Sequence, residues 1–196
     1  MTPQTTRIVT VIAAFLGGLV LFSAAIFMVT GRAPVPAPSS IGGPFRLVDH
    51  NGQVVTEAAL NGKPSLMFFG FTHCPDICPT ALFDMTQVFK ALGKDGDKVQ
   101  AYFVSVDPER DTPEILKEYL SSFDPRLRGL TGDPAAVAAM EKAYRVYSKK
   151  IPLENGGYTM DHTALVYLMD KQGRFVAPFN MKRKPEEAAA ELKRYF

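Results

Sequence analysis

The stretch FGFTHCPDICPTA, residues 69–81, holds the only two cysteines of this 196-residue chain, Cys74 and Cys78. A short apolar run at residues 65–69 leads into it and is typical of a buried strand. Residues 80–89 continue from it with apolar side chains at helical spacing, so both thiols lie where a strand passes into a helix. The positive end of a helix dipole and its free amide donors favour thiolate over thiol at that position.

Strands and helices alternate on both sides of the cysteine stretch. Upstream, Asn51-Gly52 separates two short apolar runs, and this dipeptide is a strong signal for a β-hairpin. Downstream, the cysteine helix is predicted to end near residue 92, and a second buried strand is predicted at residues 99–106. The remaining predicted elements are a helix from Thr112 to about 123, a short strand at 130–131, a helix from Asp133 to about 148, strands at 163–169 and 174–177, and a helix from Pro185 to about 195.

The predicted order of elements is hairpin, β, α, β, α, α, β, β, α. Alternating strands and helices imply parallel crossovers, and the late hairpin adds an antiparallel edge. A thiol pair after an early strand in this order is the thioredoxin arrangement. We therefore predict an α/β, thioredoxin-like fold with an extra N-terminal β-hairpin over residues 45–196.

An uncharged apolar run of 23 residues, 8–30, lies near the N-terminus. As a helix it would span about 34 Å, which is enough to cross a hydrocarbon core of about 30 Å. A cleavable signal peptide is the alternative, but the apolar core of such a peptide is only about 7–15 residues long. We expect a single transmembrane helix after a short tail, residues 1–7. Residues 31–44, with four prolines among small residues, are expected to form a semi-rigid linker.

The orientation of this anchor is only weakly indicated by charge, because Arg7 and Arg32 flank the apolar run on opposite sides. A short N-terminal tail before a single apolar segment usually stays in the cytoplasm. We therefore expect a single-pass protein of the cytoplasmic membrane with its C-terminal domain in the periplasm, or in the mitochondrial intermembrane space of a eukaryote.

Composition excludes other classes of function. The net charge is only +2, and basic residues do not cluster with aromatic ones, so no nucleic-acid partner is expected. The sequence has neither an internal repeat nor a glycine-rich phosphate-binding loop.

The spacing of Cys74 and Cys78 leaves three uses for the thiols. A structural disulfide is the ordinary interpretation outside the cytoplasm, but a bridge that closes so small a loop adds little stability. Thioredoxin-class redox enzymes place two residues between their cysteines, whereas this chain places three. The wider pair can still close a redox-active disulfide, and it can also bind a soft metal ion. Thiolates favour Cu(I), while zinc and iron–sulfur sites generally need four protein ligands.

A third metal ligand is sought among three histidines. His50 lies in the predicted first hairpin turn, where a surface polar role is the better interpretation. His73 adjoins Cys74, but neighbours on an extended segment face opposite sides, so its ring need not point at the thiols. His162 lies just before a predicted buried strand, in the turn that packs against the cysteine loop in the thioredoxin arrangement. Redox enzymes have a cis-proline in that turn. This chain has a histidine and no proline in the turn, which favours His162 as the ligand.

Four segments together resemble the Sco/SenC family of copper chaperones. They cover residues 70–80, 104–113, 142–147 and 161–170, in that order, within a similarity that extends over roughly residues 45–195. A bare CxxxC is weak evidence of a metal site, whereas four segments in order are specific. The chain shows no departure from the family at the key positions.

The resemblance implies a membrane-anchored, thioredoxin-like protein that binds copper, as Cu(I) or Cu(II), through Cys74, Cys78 and His162. It implies a role in assembling the binuclear copper centre of cytochrome c oxidase subunit II, which would be the partner. Other copper chaperones and thiol reductases are further candidate partners. A metallochaperone is favoured over an enzyme.

One other function stays open beside copper delivery. It is a membrane-tethered thiol–disulfide reductase that acts on the oxidase or on other extracytoplasmic cysteines and needs no metal.

The roles of the polar residues near the thiols also stay open. Asp76 would either influence thiolate charge or partner docking, or be a solvated turn residue. For the charged residues of 107–111, helix capping and loop salt bridges are as good an explanation as a role in the site.

Overall fold

The computed structural model describes residues 14–22, 24, 41–154 and 156–196. Its contacts divide the chain into two compact units, residues 1–37 and 38–196. The strands of the second unit are β1 (Arg46–Asp49), β2 (Val54–Thr56), β3 (Ser65–Gly70), β4 (Gln100–Ser105), β5 (Leu127–Thr131), β6 (Ser148–Pro152), β7 (Tyr158–His162), β8 (Val166–Met169) and β9 (Phe175–Pro178). The helices are α1 (Ile77–Leu92), α2 (Pro113–Leu120), α3 (Pro134–Ala143) and α4 (Pro185–Leu192), with 3-10 turns at Glu57–Leu60, Gly93–Lys98 and Lys193–Tyr195.

Seven strands form one sheet in the order β2-β1-β5-β4-β3-β8-β9. The central pairs β3–β4 and β4–β5 are parallel, whereas β8 and β9 add an antiparallel edge on one side. The β1–β2 hairpin joins the other side through antiparallel pairing of β1 with β5. This arrangement confirms the predicted α/β fold with its extra N-terminal hairpin.

Strand β3 carries the cysteine loop, and it is buried along its whole length. Its neighbouring side chains Phe68 and Phe69 pack on different aromatic partners, Phe68 near Phe103 and Phe69 near Tyr144 and Tyr167. A strand covered on both faces reads as a continuous apolar run, as residues 65–69 do. The cysteine loop therefore starts from a fixed position at the centre of the sheet.

Helix α3 ends earlier than predicted, and a hairpin that was not predicted from the sequence begins at Ser148. The predicted end near residue 148 is wrong because the helix stops at Ala143. Arg145 adopts a left-handed conformation with φ of 56°, and the Val146 N–H donates to the Glu141 carbonyl. Glycine usually occupies such a position, so the sequence gives no stop signal. Beyond it, β6 and β7 pair with each other as a separate two-stranded sheet.

Other differences concern element ends. Strand β5 begins at Leu127 and is longer than the predicted residues 130–131. The residues between α1 and β4, for which no element was predicted, form a 3-10 turn, Gly93–Lys98. Gly129 on β5 lies so close to α2 that an added Cβ would come within 2.7 Å of Leu120 Cδ1, so the helix approaches the sheet closely there.

The predicted membrane anchor lies mostly outside the described residues. Residues 14–22 and 24 are helical, while the rest of the run 8–30 and residues 31–40 of the predicted linker are not described. Within the described ranges, no helix combines the length and the apolar character needed to cross a membrane. At the start of the second unit, the Gly42 N–H donates to the Ala143 carbonyl at 2.9 Å.

Candidate metal centre

The cysteine loop leaves β3 and enters the first turn of α1. The Cys74 N–H donates to the Phe71 carbonyl at 3.3 Å, and the Cys78 N–H donates to Cys74 Sγ at 3.4 Å. Residues four apart at a helix start face the same side, so the two sulfur atoms lie together. Both cysteines are free thiols; Cys78 is fully buried, whereas Cys74 is partly exposed.

His162, the last residue of β7, lies next to this thiol pair. Its Nδ1 is 3.1 Å from the Thr163 carbonyl oxygen, and this contact assigns the ring proton to Nδ1. Nε2 is then free to act as a ligand, and it lies 3.6 Å from Cys78 Sγ. The rings of Phe71 and Phe68 pack edge-on against the imidazole, with centroids at 5.6 and 6.3 Å. Aromatic packing thus holds the imidazole in place.

The structure brings together the three residues that the sequence predicts as ligands. One donor atom each from Cys74, Cys78 and His162 lies within 4.8 Å of the other two. In the described part of the chain, these residues form the one group of three or more histidine, cysteine and acidic side chains close enough to share a metal ion. Two sulfurs and one imidazole nitrogen are a soft donor set that suits copper.

At Cys78, burial opposes the preference for thiolate that the helix start provides. Burial raises the pKa of its thiol; a backbone hydrogen bond from Phe71 opposes this shift, and the neighbouring Cys74 reinforces it. The first-turn position therefore does not compensate for removal from water. Binding of a metal ion must displace this proton, since the thiolate is the form that coordinates.

Gly70, the last residue of β3, leaves room for the Cys78 sulfur. A Cβ added there would lie 2.8 Å from Cys78 Sγ and 2.7 Å from Cε2 of Phe103. We expect Gly70→Ala to displace the sulfur and to lower the free energy of unfolding by about 1–3 kcal/mol, the usual cost of overpacking. Urea denaturation measures this change. Gly43→Ala is the matched control, because its Cβ would meet only Ala143 Cβ, at 3.3 Å; equal costs for the two variants would contradict the expectation.

The other two histidines have different partners. His50 accepts a hydrogen bond from the Gly129 N–H through Nδ1 at 2.9 Å, so it ties the first hairpin to β5. The His73 ring lies 3.1 Å from Thr72 Oγ1 and 4.0 Å from an Asp111 carboxylate oxygen, and about half of its side chain is exposed. Neither belongs to the group of three donors.

Asp111 holds the start of the cysteine loop. Its fully buried carboxylate accepts hydrogen bonds from the Thr72 N–H at 3.1 Å, from Thr72 Oγ1 at 2.6 Å and from Ser105 Oγ at 2.6 Å. Burial raises the pKa of this carboxyl, and these hydrogen bonds oppose the shift. Helix capping does not explain Asp111, since Thr112 accepts the capping bond from the Ile115 N–H at 3.3 Å.

Asp107 and Arg110 contact the hairpin that carries His162. The buried Asp107 carboxylate accepts a hydrogen bond from the Tyr158 hydroxyl at 2.8 Å and another from Arg110 Nε. Arg110 Nη1 donates to the Tyr158 carbonyl at 3.0 Å. Sequence reasoning left both residues out of the site, and their signal was a run of charges directly after a buried strand, at the sheet edge where α/β folds place their sites.

An apolar groove borders the centre on the side of α1. It encloses about 560 Å³. Its walls come mainly from the start of α1, from the residues that lead into β8 and from those that follow β9. Ile77, between the two cysteines, and Leu165, three residues after His162, are each about half exposed along it. Asp76 also lines this groove and makes no capping hydrogen bond with its side chain. None of the three donor residues lines this groove, and the centre meets solvent at Cys74, which is partly exposed.

Comparison with known proteins finds relatives over most of the chain. The family model described as SCO1/SenC matches residues 34–196. A SCO2-like protein of Rickettsia felis is 38% identical over 155 residues, which cover 78% of this chain and 76% of that protein. The mitochondrial protein SCO2 of Saccharomyces cerevisiae is 46% identical over 140 residues, 70% of this chain. The match covers 46% of the yeast protein, so the chain spans about half of its length.

Solved structures show the same fold. The structure of Bradyrhizobium japonicum ScoI with copper bound is 66% identical, with a TM-score of 0.78, and the match covers 80% of this chain and 99% of that one. The crystal structure of yeast Sco1 with copper bound is 39% identical, with a TM-score of 0.73, covering 80% of this chain and 88% of that one.

Proposed function

The chain belongs to the SCO1/SenC family, and on that premise we propose that it binds copper and serves in the assembly of cytochrome c oxidase. The observation that carries the proposal is the meeting of Cys74, Cys78 and His162 within 4.8 Å. Copper-bound structures of similar proteins from Bradyrhizobium japonicum and yeast support copper as the ion.

The donor set suits an ion that is carried and then passed on. Two thiolates favour Cu(I), and the addition of an imidazole allows Cu(II) to be held as well. Three ligands leave the ion open to a further ligand from an acceptor protein. Cys74 is partly exposed, so an acceptor thiol or imidazole could approach on that side and replace the ligands one at a time.

We further propose that the protein is anchored in the membrane by residues 8–30 and acts on subunit II of the oxidase. The uncharged apolar run supports the anchor, and residues 14–22 within it are helical. A proline-rich linker of about 14 residues would reach up to about 40 Å, which suits an acceptor in the same membrane. In this proposal the second unit delivers copper to the binuclear centre of subunit II, or prepares that centre to receive it.

Replacement of His162 tests the ligand set. We expect His162→Ala to weaken Cu(II) binding by more than the 10–100-fold typical of losing a partner that only supports a ligand. His73→Ala is the matched control, because His73 is next to Cys74 in the sequence but its ring contacts Thr72 and Asp111 and not the thiols. Copper affinity is measured by competition with a chromophoric chelator. Equal losses in the two variants would contradict the assignment of His162.

The role in oxidase assembly is tested in cells. A strain that lacks this protein should lose cytochrome c oxidase activity, and added copper should restore part of it. The wild-type chain should restore the activity fully, whereas the His162→Ala chain should not. Full oxidase activity in the deletion strain, without added copper, would contradict the proposal.

A thiol–disulfide reductase is the second candidate function. It is favoured by the contact between the Cys78 N–H and Cys74 Sγ, which places two free thiols side by side. Oxidation of this pair to a disulfide would supply the two electrons and two protons that reduce a partner's disulfide to two thiols. This function would need both cysteines, would be indifferent to His162→Ala and would persist when copper is chelated.

A further inference from the structure

We propose that Asp107, Arg110 and Tyr158, here called the clamp, position the imidazole of His162 against the thiols and so determine how well the site retains Cu(II). The inference rests on the proposed copper function, and it assigns a role to charged residues that the ligand set leaves unused. None of the three clamp residues belongs to the donor group itself.

The hairpin that carries His162 needs an attachment to the rest of the domain. Strands β6 and β7 pair with each other, and neither is a member of the seven-stranded sheet. An isolated two-stranded hairpin is at best marginally stable in water. The position of His162 at the end of β7 therefore depends on side-chain contacts between the hairpin and the body of the domain.

The clamp supplies one such attachment at the opposite end of β7, in addition to the aromatic packing on His162 and the buried Met160. Tyr158, the first residue of the strand, is held at three points. Its hydroxyl donates to Asp107 at 2.8 Å, its carbonyl accepts from Arg110 at 3.0 Å, and its ring lies 3.8 Å below the Arg110 guanidinium carbon. Asp107 is 1% exposed, whereas the Arg110 side chain is 24% exposed, so the hydrogen bonds are partly buried, and the charge of Asp107 strengthens those that it accepts.

The loop of residues 107–111, which contains Asp107 and Arg110 of the clamp, also holds the cysteine loop in place. Asp111 holds Thr72 at the start of the cysteine loop, while Asp107 holds Tyr158 on the hairpin. The N–H groups of Arg110 and Asp111 both donate to the Asp107 carbonyl, at 3.1 and 2.9 Å, so the loop is closed on itself. One short, closed turn between β4 and α2 therefore sets the cysteine side and the histidine side of the centre at once.

The two oxidation states of copper depend on this geometry to different degrees. Cu(I) is well served by two thiolates, which come from one loop and stay together without the hairpin. Cu(II) prefers nitrogen ligands in a tetragonal arrangement, so it depends on the imidazole. Loosening the clamp should therefore weaken Cu(II) binding while leaving Cu(I) binding nearly unchanged.

The test uses the full chain, purified in a mild detergent and reduced before use. The affinities for Cu(I) and Cu(II) are measured by chelator competition, and thermal unfolding is followed by circular dichroism. Arg110→Gln should weaken Cu(II) binding by about 10–100-fold, the range known for residues that support a metal ligand. Cu(I) affinity should stay within about threefold, because both thiolates remain in place.

Two further variants keep the test decisive. Tyr158→Phe removes one hydroxyl, keeps the ring on Arg110 and should give the same selectivity with a smaller loss, even if Arg110→Gln fails to fold. Arg174→Gln is the matched control, since it breaks another arginine–aspartate pair, with Asp170 in the turn between β8 and β9; it should change neither affinity. A folded clamp variant with wild-type Cu(II) affinity, or with equal losses for both ions, overturns the clamp alone. A wild-type chain that binds neither ion overturns the proposed function as well.

Discussion

Replacing Cys78 with serine is expected to abolish high-affinity copper binding. Serine keeps the shape of the side chain in a slightly smaller form, but a hard oxygen replaces the soft sulfur that copper prefers. We expect less than 0.1 copper per chain after desalting, as an order-of-magnitude threshold, against about one for the wild type. The measurement is metal analysis of the full chain after it has been loaded under reducing conditions.

The matched control for Cys78→Ser is Thr80→Ser, which lies in the same first turn of α1 but is exposed and outside the donor group. It should keep the full copper content. Retention of one copper per chain by Cys78→Ser would show that the ion is bound elsewhere.

Replacing Asp111 with alanine is expected to have the largest effect on stability among the variants considered. The change leaves Thr72 and Ser105 without the acceptor of their hydrogen bonds, at a site where the carboxylate is fully buried. Hydrogen bonds to charged groups contribute about 1.5–3 kcal/mol each, so we expect a loss of at least about 3 kcal/mol. Urea denaturation of the full chain measures the change.

Asp133→Ala provides the comparison for Asp111→Ala. Asp133 caps α3 by accepting a hydrogen bond from the Ala135 N–H at 2.8 Å, and the loss of such a cap costs about 1 kcal/mol. If Asp111 served only as a helix cap or a surface salt bridge, the two variants would lose similar stability. A loss for Asp111→Ala no greater than that for Asp133→Ala would contradict its role as the anchor of the cysteine loop.

The parts of the fold that were predicted correctly are those encoded by local pattern. Strand β3 and helix α1 follow from an apolar run and from helical spacing on either side of the cysteines, and Asn51-Gly52 marks the first hairpin. The position of His162 beside the thiols followed from the thioredoxin arrangement. These inferences need only residues close in sequence and a known order of elements.

The β6–β7 hairpin was not predicted because the sequence marks neither the end of the helix before it nor the two strands themselves. Helix α3 ends through a left-handed arginine, Arg145, where glycine would have announced the end. The strands themselves are rich in polar and exposed residues, so they show no clear apolar alternation. Sequence pattern alone could not separate them from a loop.

The contacts of the 107–111 loop could not be inferred because they join distant parts of the chain. Asp111 and its partner Thr72 are 39 residues apart, and Asp107 and Tyr158 are 51 apart. Helix capping is the commonest use of an aspartate before a helix, and here Thr112 performs it. The raised pKa of Cys78 escaped prediction for a similar reason, since it comes from burial by the assembled core.

The central claim is that copper is bound by Cys74, Cys78 and His162. X-ray absorption spectroscopy of the copper-loaded full chain tests it most directly, because it reports the atoms bound to the metal. We predict two sulfur scatterers and one imidazole nitrogen in the wild type, and loss of the nitrogen in His162→Ala with both sulfurs kept. A wild-type spectrum without sulfur, or an imidazole signal that persists unchanged in His162→Ala, would contradict the account.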